Sequence, residues 1–210
     1  MEIRERKFDV ILLDVDGTLL DSMEMWENLG TLFLAKKGVK PPENLKEIIE
    51  NKTLDESAEY FITELKMEGP ISGIVQEILS LIHDKYYNEL QMKNGMKELV
   101  LSEYKVGSKM CILTTSDRDL AAAAMKRLGV AHCFKEIYTA ETLGMSKRKP
   151  DIFIKTCELM GFKPEETTVY EDALYAAKSA KQAGCRLVGV YDRMNKNDWQ
   201  ELKELADETL

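Results

Sequence analysis

The chain has 210 residues, of which 44% are hydrophobic and 31% charged, and its formal net charge at pH 7 is −8. This composition is typical of a soluble globular protein with room for one large domain or two unequal ones. The acidic balance argues against a nucleic-acid polymer or an anionic membrane surface as a partner, but it leaves small anionic substrates open. The N-terminus MEIRERK is too polar for a signal peptide and no apolar stretch is long enough to span a bilayer, so we expect a cytoplasmic protein.

The cysteines and histidines show no metal-ligand spacing. There is no CxxC pair, and each cysteine lies in an apolar or helical context. We therefore expect buried, reduced thiols. The four cysteines are Cys111, Cys133, Cys157 and Cys185.

The first predicted element is a strand over Val10–Leu13, which ends at two acidic residues, Asp14 and Asp16. Gly17 follows at once and allows the backbone to approach a ligand. Two carboxylates held so close repel each other unless a cation lies between them, so the pattern predicts a metal. One carboxylate could attack phosphorus directly, and the other could act as general acid and base. A pair of acids that only caps a loop is disfavoured, because carboxylates at the end of an apolar strand need partners.

A purely helical segment follows, from about Met23 to about Tyr87. Apolar residues recur there at intervals of three and four, as in Ile74, Ile78 and Leu81. The segment leaves the predicted strand directly after the acidic residues, so it is placed to cover them.

After about Asn94 the pattern changes to alternating strands and helices. Strands are predicted over Lys109–Leu113, Phe134–Thr139, Thr167–Tyr170 and Arg186–Val190. Helices are predicted over Asp117–Leu128, Asp151–Met160, Ala173–Ala183 and Asn195–Leu205. Helices that end at glycine and lead into apolar strands are typical of parallel βαβ units. We therefore predict an α/β core domain of residues 1–20 and 90–210, with a helical domain of residues 21–89 inserted after the first strand.

The second strand of the core ends at Thr114, followed by Thr115 and Ser116. A hydroxyl at this position can donate to a phosphate oxygen, and the amides that follow can add further donors. Since serine and threonine are also common helix caps, we assign Thr114 to the ligand and Ser116 or Asp117 to the cap of the next helix.

Two charged segments follow at later strand ends. The basic cluster Lys147–Lys149 could offset charge on a phosphoryl group, although taken alone it favours a solvated basic loop ahead of a helix. The pair Glu171 and Asp172 suits an oxygen-ligated cation such as Mg²⁺, although such a pair taken alone is more often a helix N-terminal cap. Because all these groups lie at the carboxyl ends of predicted strands, they should converge on one edge of the sheet as the components of metal-assisted phosphoryl transfer.

These segments together resemble the haloacid dehalogenase superfamily over nearly the whole chain. DVDGT at 14–18 is similar to its first motif, which implies that Asp14 is the nucleophile and Asp16 the general acid and base. ILTTS places Thr114 at the second motif. SKRKPDIF resembles the third and implies Lys147 as its lysine, with Lys149 as the alternative.

VYEDALYAAKSAKQAG is similar to the fourth motif, in which Asp172, assisted by Glu171, would hold Mg²⁺. The chain departs from the family at three positions: Arg148 replaces a usual proline, and Ala173 and Ala176 replace a common serine and glycine. The metal ligands that the resemblance implies are Asp14, Asp16, Glu171 and Asp172.

The resemblance also implies a Rossmann-like core and makes the helical insertion a type-1 cap, which closes over the site and selects the substrate. Asp16 disfavours the dehalogenase and phosphonate hydrolase branches. The β-phosphoglucomutase and small-sugar-phosphatase group looks nearest. Trp26 stands where the mutases have a histidine and Leu54 near their cap arginine, with Lys52 the nearest cation. We therefore favour hydrolysis of a small phosphate monoester over a mutase.

Candidate substrate-binding residues are Thr115 in the core and Trp26, Asn51, Lys52 and Thr53 in the cap. For Trp26, packing in a helical core is an equally good interpretation. A protein that keeps the fold but only binds a partner is the third possibility, and the complete set of motif residues argues against it. The expected partner is a small phosphorylated metabolite, and the expected assembly is a monomer or a weak homodimer.

Overall fold

The apolar run at Val10–Leu13 forms a fully buried strand at the centre of a six-stranded sheet. The computed structural model describes residues 10–50 and 52–210. All neighbouring strands are parallel. The strands, numbered along the chain, are β1 (Val10–Leu13), β2 (Lys109–Thr114), β3 (Phe134–Thr139), β4 (Thr167–Glu171), β5 (Arg186–Gly189) and β6 (Glu208–Thr209). The predicted α/β fold with a parallel sheet and a helical insertion after the first strand is confirmed.

The strand order, β3-β2-β1-β4-β5-β6, places β1 between β2 and β4. Leu13 lies opposite Ile112 on one side and opposite Tyr170 on the other, so the three strands end at nearly the same level. From β1 the chain adds β2 and β3 on one side and then crosses to add β4 on the other side. In an open parallel sheet, ligands bind beyond the carboxyl ends of the strands where the order reverses in this way. The residues that follow β1, β2 and β4 are therefore brought together.

The chain forms two compact units. The helical unit is Met23–Glu89, and the sheet unit combines the residues up to Ser22 with Leu90–Leu210. In the sheet unit, α9 (Asp151–Met160) and α10 (Leu174–Ala183) bury Phe153 and Ala177 against Leu12, Leu113 and Leu187 of the strands. All four cysteines are free and buried, as expected. The helices of this unit are α6 (Met96–Lys105), α7 (Arg118–Arg127), α8 (Ala140–Leu143), α9 (Asp151–Met160), α10 (Leu174–Ala183) and α11 (Trp199–Leu205).

Among its described residues, the helical unit contains five α-helices, the longest of which is α5 (Ile71–Asp84), and a π-helical turn at Lys85–Glu89. Its core includes Phe33 and Phe61, whose rings stack with centroids 5.9 Å apart, and the buried face of α5 with Ile74 and Ile78. The α-helices are α1 (Met23–Glu27), α2 (Leu29–Lys36), α3 (Leu45–Ile49), α4 (Leu54–Thr63) and α5 (Ile71–Asp84). In neither unit does a helix within the described ranges combine the length and the apolar character needed to cross a membrane.

The two ends of the insertion are joined by backbone hydrogen bonds in the sheet unit. Asp21 N donates to Gln91 O at 3.0 Å, and Lys93 N donates to Leu19 O at 2.9 Å. Between them, Leu20 forms an antiparallel bridge with Met92. This short stem means that the chain leaves the sheet unit and re-enters it at one place.

Candidate active site

Four functional segments predicted from the sequence meet at the carboxyl edge of the sheet. Asp14 directly follows β1, Thr114 is the last residue of β2, and Glu171 is the last residue of β4. Asp14, Thr114, Glu171 and Asp172 are all at least nine-tenths buried. Charged groups so deeply buried need specific partners, and the structure supplies them.

Lys147 joins two of these carboxylates. Its Nζ donates to Asp14 Oδ1 at 2.5 Å and to Glu171 Oε2 at 2.8 Å, and only 3% of the residue is exposed. Burial would lower the pKa of Lys147, but Asp14 and Glu171 outweigh it and raise the pKa, so the ammonium stays charged. Burial also raises the pKa of Asp14; Lys147 opposes this, and the neighbouring carboxylates reinforce it.

A turn before α9 selects Lys147 rather than Lys149. Lys149 N donates to Ser146 O at 3.1 Å, and Pro150 starts the helix with the fixed φ that suits its first turn. The turn directs Lys147 to the buried carboxylates and leaves Lys149 exposed. Arg148, at the position of the expected proline, is also exposed and stacks over the ring of Tyr175, with its guanidinium carbon 4.3 Å from the ring centroid.

Two serine hydroxyls hold Asp16. Ser22 Oγ donates to Asp16 Oδ1 at 2.6 Å, and Ser116 Oγ donates to Asp16 Oδ2. Gly17, with a φ of 82°, turns the chain directly after Asp16, which a residue with a Cβ would do only under strain. Ser116 was one of two candidates for capping the next helix; Asp117 has this role, because its side chain accepts from Asp119 N and Leu120 N. The Ser116 hydroxyl faces Asp16 instead.

The hydroxyl of Thr114 is placed to donate. Thr114 Oγ1 accepts from Ser116 N at 3.0 Å, and no residue in the described ranges accepts its proton. Since 1% of Thr114 is exposed, a donor proton without an acceptor is held next to the buried acids. Thr115, the predicted substrate residue beside it, is exposed.

Asp172 is held at both of its oxygens. Thr18 Oγ1 donates to Oδ1 at 3.0 Å, and Asn195 Nδ2 donates to Oδ2 at 2.6 Å. Burial, followed by the Glu171 carboxylate, raises the pKa of Asp172 to about 7, while the hydrogen bond from Thr18 pulls it down. Burial is thus the main reason why the charged form of Asp172 is disfavoured, and the nearby Glu171 carboxylate adds to it.

The donor set fits a hard divalent cation. Carboxylate oxygens of Asp14, Glu171 and Asp172 all lie within 4.8 Å of one another. Three buried carboxylates against one lysine leave uncompensated negative charge, and Mg²⁺ prefers oxygen ligands of this kind. Asp16, which was also predicted as a ligand, is not part of this group.

Several residues of the site were missed by the sequence analysis. Thr18 lies in the predicted first motif and donates to Asp172, and Ser22 follows the motif closely and donates to Asp16. A search for hydroxyl groups in and near the motif would have found both. Lys93, Asp192 and Asn195 lie far along the chain in loops without a motif. In the sequence, the excess of acids over Lys147 was the one sign that another positively charged side chain, such as Lys93, should lie near the site.

The predicted cap residues lie in the helical unit. Trp26 and Lys52 both line a cavity of about 370 Å³. Trp26 also packs, since its Nε1 donates to the Tyr86 hydroxyl at 3.1 Å and the two rings meet edge to face. Thr53 caps α4: its hydroxyl accepts from Glu56 N at 3.2 Å. The prediction for Asn51 lies outside the described residues. Other residues that line this cavity are Glu27, Leu29, Gly30, Lys46, Ile49, Glu50, Leu54, Ser57, Phe61 and Ile78.

Comparisons with known proteins agree with this geometry. Hexitol phosphatase A from Escherichia coli (strain K12) is 29% identical over 180 residues, which cover 85% of this chain and 81% of that protein. A structure from Thermotoga maritima, provisionally assigned as a β-phosphoglucomutase, superposes with a TM-score of 0.82 at 20% identity and covers 96% of this chain and 93% of its own. CbbY from Rhodobacter sphaeroides, solved in complex with phosphate, gives a TM-score of 0.71 at 22% identity, with 97% of this chain and 93% of that chain covered.

At these identities the two solved structures establish the fold. The family is established separately, because the model described as haloacid dehalogenase-like hydrolase matches residues 11–190. The matched span begins in β1 and ends just after β5, so it includes all four predicted motif segments. The chain therefore belongs to the haloacid dehalogenase-like hydrolases.

Proposed function

We propose that this protein is a Mg²⁺-dependent phosphatase that hydrolyses small, sugar-phosphate-like monoesters through an aspartyl-phosphate on Asp14. The observation that carries the proposal is the buried Asp14 carboxylate at the end of the central strand, paired with Lys147 and followed two residues later by Asp16 held between two serines. Similarity to hexitol phosphatase A supports a sugar-phosphate-like substrate.

In the first step, an oxygen of Asp14 attacks phosphorus, and the bond from phosphorus to the leaving oxygen breaks. Asp16 gives its proton to that oxygen, so the alcohol leaves neutral. In the second step, Asp16 takes a proton from water, the water oxygen bonds to phosphorus, and the bond from phosphorus to Asp14 breaks. Inorganic phosphate is released and both acids return to their starting states.

The surrounding residues stabilise charge on the transferred group. The Lys147 ammonium offsets negative charge at Asp14, and Thr114 donates its free proton to a phosphate oxygen. Asp14, Glu171 and Asp172 would hold Mg²⁺, with Asp16 as the further candidate. Mg²⁺ would supply positive charge that draws a phosphate dianion toward three carboxylates.

We further propose that the helical unit acts as a cap that selects the substrate. Support comes from its insertion between Ser22 and Leu90, beside the acidic segment, and from the cavity lined by Trp26 and Lys52. The cavity combines apolar walls with two lysines and two glutamates, Lys46 being paired with Glu27, and this mixture suits the body of a small polar metabolite. Thr53, engaged in capping α4, is a weaker candidate for substrate contact than Lys52. For the compartment we still predict the cytoplasm, and for the oligomeric state a monomer or a weak homodimer.

The test is release of inorganic phosphate from hexose, pentose and hexitol phosphates, nucleotides and phosphoglycolate, with Mg²⁺ and with a chelator. We expect Mg²⁺-dependent release, strongest for one or a few sugar-phosphate-like compounds. Asp14→Asn should lower kcat at least about 10³-fold. Asp21→Asn, a change of an exposed acid on the same segment, should leave kcat unchanged.

Full activity of Asp14→Asn would refute the assignment of the nucleophile. The panel should also include β-glucose 1-phosphate with a bisphosphate primer. Formation of glucose 6-phosphate without phosphate release would identify a mutase and overturn the proposed hydrolysis.

A further inference from the structure

Lys93 uses its ammonium group to join two loops at the site. Its Nζ donates to Gly17 O at 2.8 Å, to Tyr191 O at 2.6 Å and to Asp192 Oδ2 at 2.7 Å. An ammonium has three N–H groups, so all of them are engaged. The Lys93 side chain is 15% exposed and that of Asp192 is 4% exposed, which makes this a largely desolvated ion pair rather than a surface contact.

The first of these loops reaches Asp172 through Thr18. Gly17, whose carbonyl Lys93 holds, directly precedes Thr18, and Thr18 Oγ1 donates to Asp172 Oδ1 at 3.0 Å. The position of the Thr18 hydroxyl therefore depends on a backbone segment that Lys93 fixes.

The second loop reaches the other oxygen of Asp172. Asp192 shapes the turn after β5, since its Oδ1 accepts from Met194 N at 2.8 Å and its carbonyl accepts from Asn195 N at 3.1 Å. Asn195 Nδ2 then donates to Asp172 Oδ2 at 2.6 Å. Each oxygen of Asp172 is thus held by a loop that Lys93 anchors.

We propose that Lys93 and Asn195 are positioning residues that fix the Asp172 carboxylate and thereby set the affinity of the metal site. The inference rests on the metal site of the proposed function, but not on the identity of the substrate. A carboxylate next to the charges of Glu171 and Asp192 would turn away from them if it were not held. Hydrogen bonds to the outer side of a metal ligand keep it oriented for binding.

Mg²⁺ binding to the metal-free protein, measured by isothermal titration calorimetry, tests the proposal. Asn195→Ala should raise the Kd for Mg²⁺ about tenfold, and Lys93→Met should raise it by a similar factor. Because Lys93 acts on one oxygen of Asp172 through the loop of Asn195 and on the other through Thr18, the double variant should bind more weakly than Asn195→Ala but little more weakly than Lys93→Met. Lys97→Met, a change of an exposed lysine on α6, serves as the matched control and should leave the Kd unchanged.

A second measurement separates positioning from general stability. With p-nitrophenyl phosphate as substrate, the Mg²⁺ concentration for half-maximal rate should rise by the same factor as the Kd. Saturating Mg²⁺ should restore kcat, and KM should stay at its wild-type value. If Asn195→Ala lowers Tm but binds Mg²⁺ with the wild-type Kd, the residue is only structural and the proposal is wrong.

Three further outcomes are decisive. If Lys93→Met does not fold, Asn195→Ala alone decides, because Asn195 lies in a partly exposed loop. If the wild-type protein shows neither heat nor a rise in Tm with Mg²⁺, the metal site of the proposed function is refuted together with this inference. Normal binding by the wild type and by both variants refutes this inference only.

Discussion

Lys147 is the residue on which the charge balance of the site depends. It is the direct ion-pair partner of both Asp14 and Glu171, and all three side chains are at least nine-tenths buried. Removing one partner of a buried ion pair costs more than the pair itself contributes, because the remaining charge stays desolvated. Here two carboxylates would be left.

We therefore expect Lys147→Met to lower the free energy of unfolding by about 3–5 kcal/mol in the metal-free protein. The matched change Lys149→Met, two residues away on the surface, should alter it by less than about 0.5 kcal/mol. Urea denaturation with a chelator present measures both. Equal effects of the two variants would mean that the buried bridge from Lys147 to Asp14 and Glu171 does not exist.

The motif residues of the site could be predicted from the sequence, but their supporting partners could not. Asp14, Thr114 and Asp172 stand directly at strand ends, so the strand pattern alone brought them together. Ser116 bonds Asp16 and Asn195 bonds Asp172 only because particular loop conformations direct those side chains inward. Loop conformation depends on tertiary contacts such as those of Lys93, which no local pattern encodes.

Among the elements, α4 begins with a reciprocal pair of hydrogen bonds. Thr53 Oγ1 accepts from Glu56 N, and Glu56 Oε2 accepts from Thr53 N at 2.7 Å. This capping box satisfies two backbone N–H groups that the helix start would otherwise leave unpaired. It also gives Thr53 a structural role at a position that the sequence analysis had assigned to the substrate.

Thr53→Ala should lower the stability of the helical unit by about 1 kcal/mol. Thr53→Ser keeps the hydroxyl and should retain most of it. If Thr53 serves only α4, both variants keep wild-type kcat/KM at a temperature well below Tm. A loss of kcat/KM in Thr53→Ala that Thr53→Ser restores would instead favour contact of the hydroxyl with the substrate.

The regular elements of the sheet unit were predicted closely, and the errors have local causes. β3 and α9 have the predicted bounds because apolar periodicity and a terminal glycine define them. β6 was missed because Glu208–Thr209 is a short, exposed edge strand without an apolar pattern. The final helix begins at Trp199 rather than Asn195, since Asn195 belongs to the loop that holds Asp172.

The first part of the segment predicted to be purely helical is divided into two helices, α1 and α2. The Asn28 side chain donates to Glu24 O at 2.8 Å, at the junction between the two helices. Asparagine side chains compete with the backbone for such acceptors and favour helix ends. The apolar pattern continues across the break, so periodicity alone could not reveal it.

For the whole molecule, the formal net charge of −8 adds to the excess of carboxylates at the site. A divalent cation that binds the folded chain and not the unfolded one should therefore act as a stabiliser. At 100 times its Kd, Mg²⁺ should add about 2.7 kcal/mol to the free energy of unfolding. This corresponds to a rise in Tm of roughly 5–10 °C for a chain of this size.

Differential scanning fluorimetry of the chelator-treated protein measures this shift. NaCl at the same ionic strength is the control for charge screening, and Asp172→Asn should remove most of the Mg²⁺ effect. If NaCl reproduces the shift, or if Asp172→Asn keeps all of it, the stabilisation does not come from the proposed site.

The stem at Leu19–Asp21 and Gln91–Lys93 has a consequence for how such a protein can diverge. Because both ends of the insertion are tied to each other, residues between them can be lengthened, shortened or replaced without moving the strands that carry the acids. If the helical unit selects the substrate as proposed, the chemistry and the choice of substrate are free to evolve at different rates. A new metabolite could be adopted by exchanging one contiguous stretch of the gene.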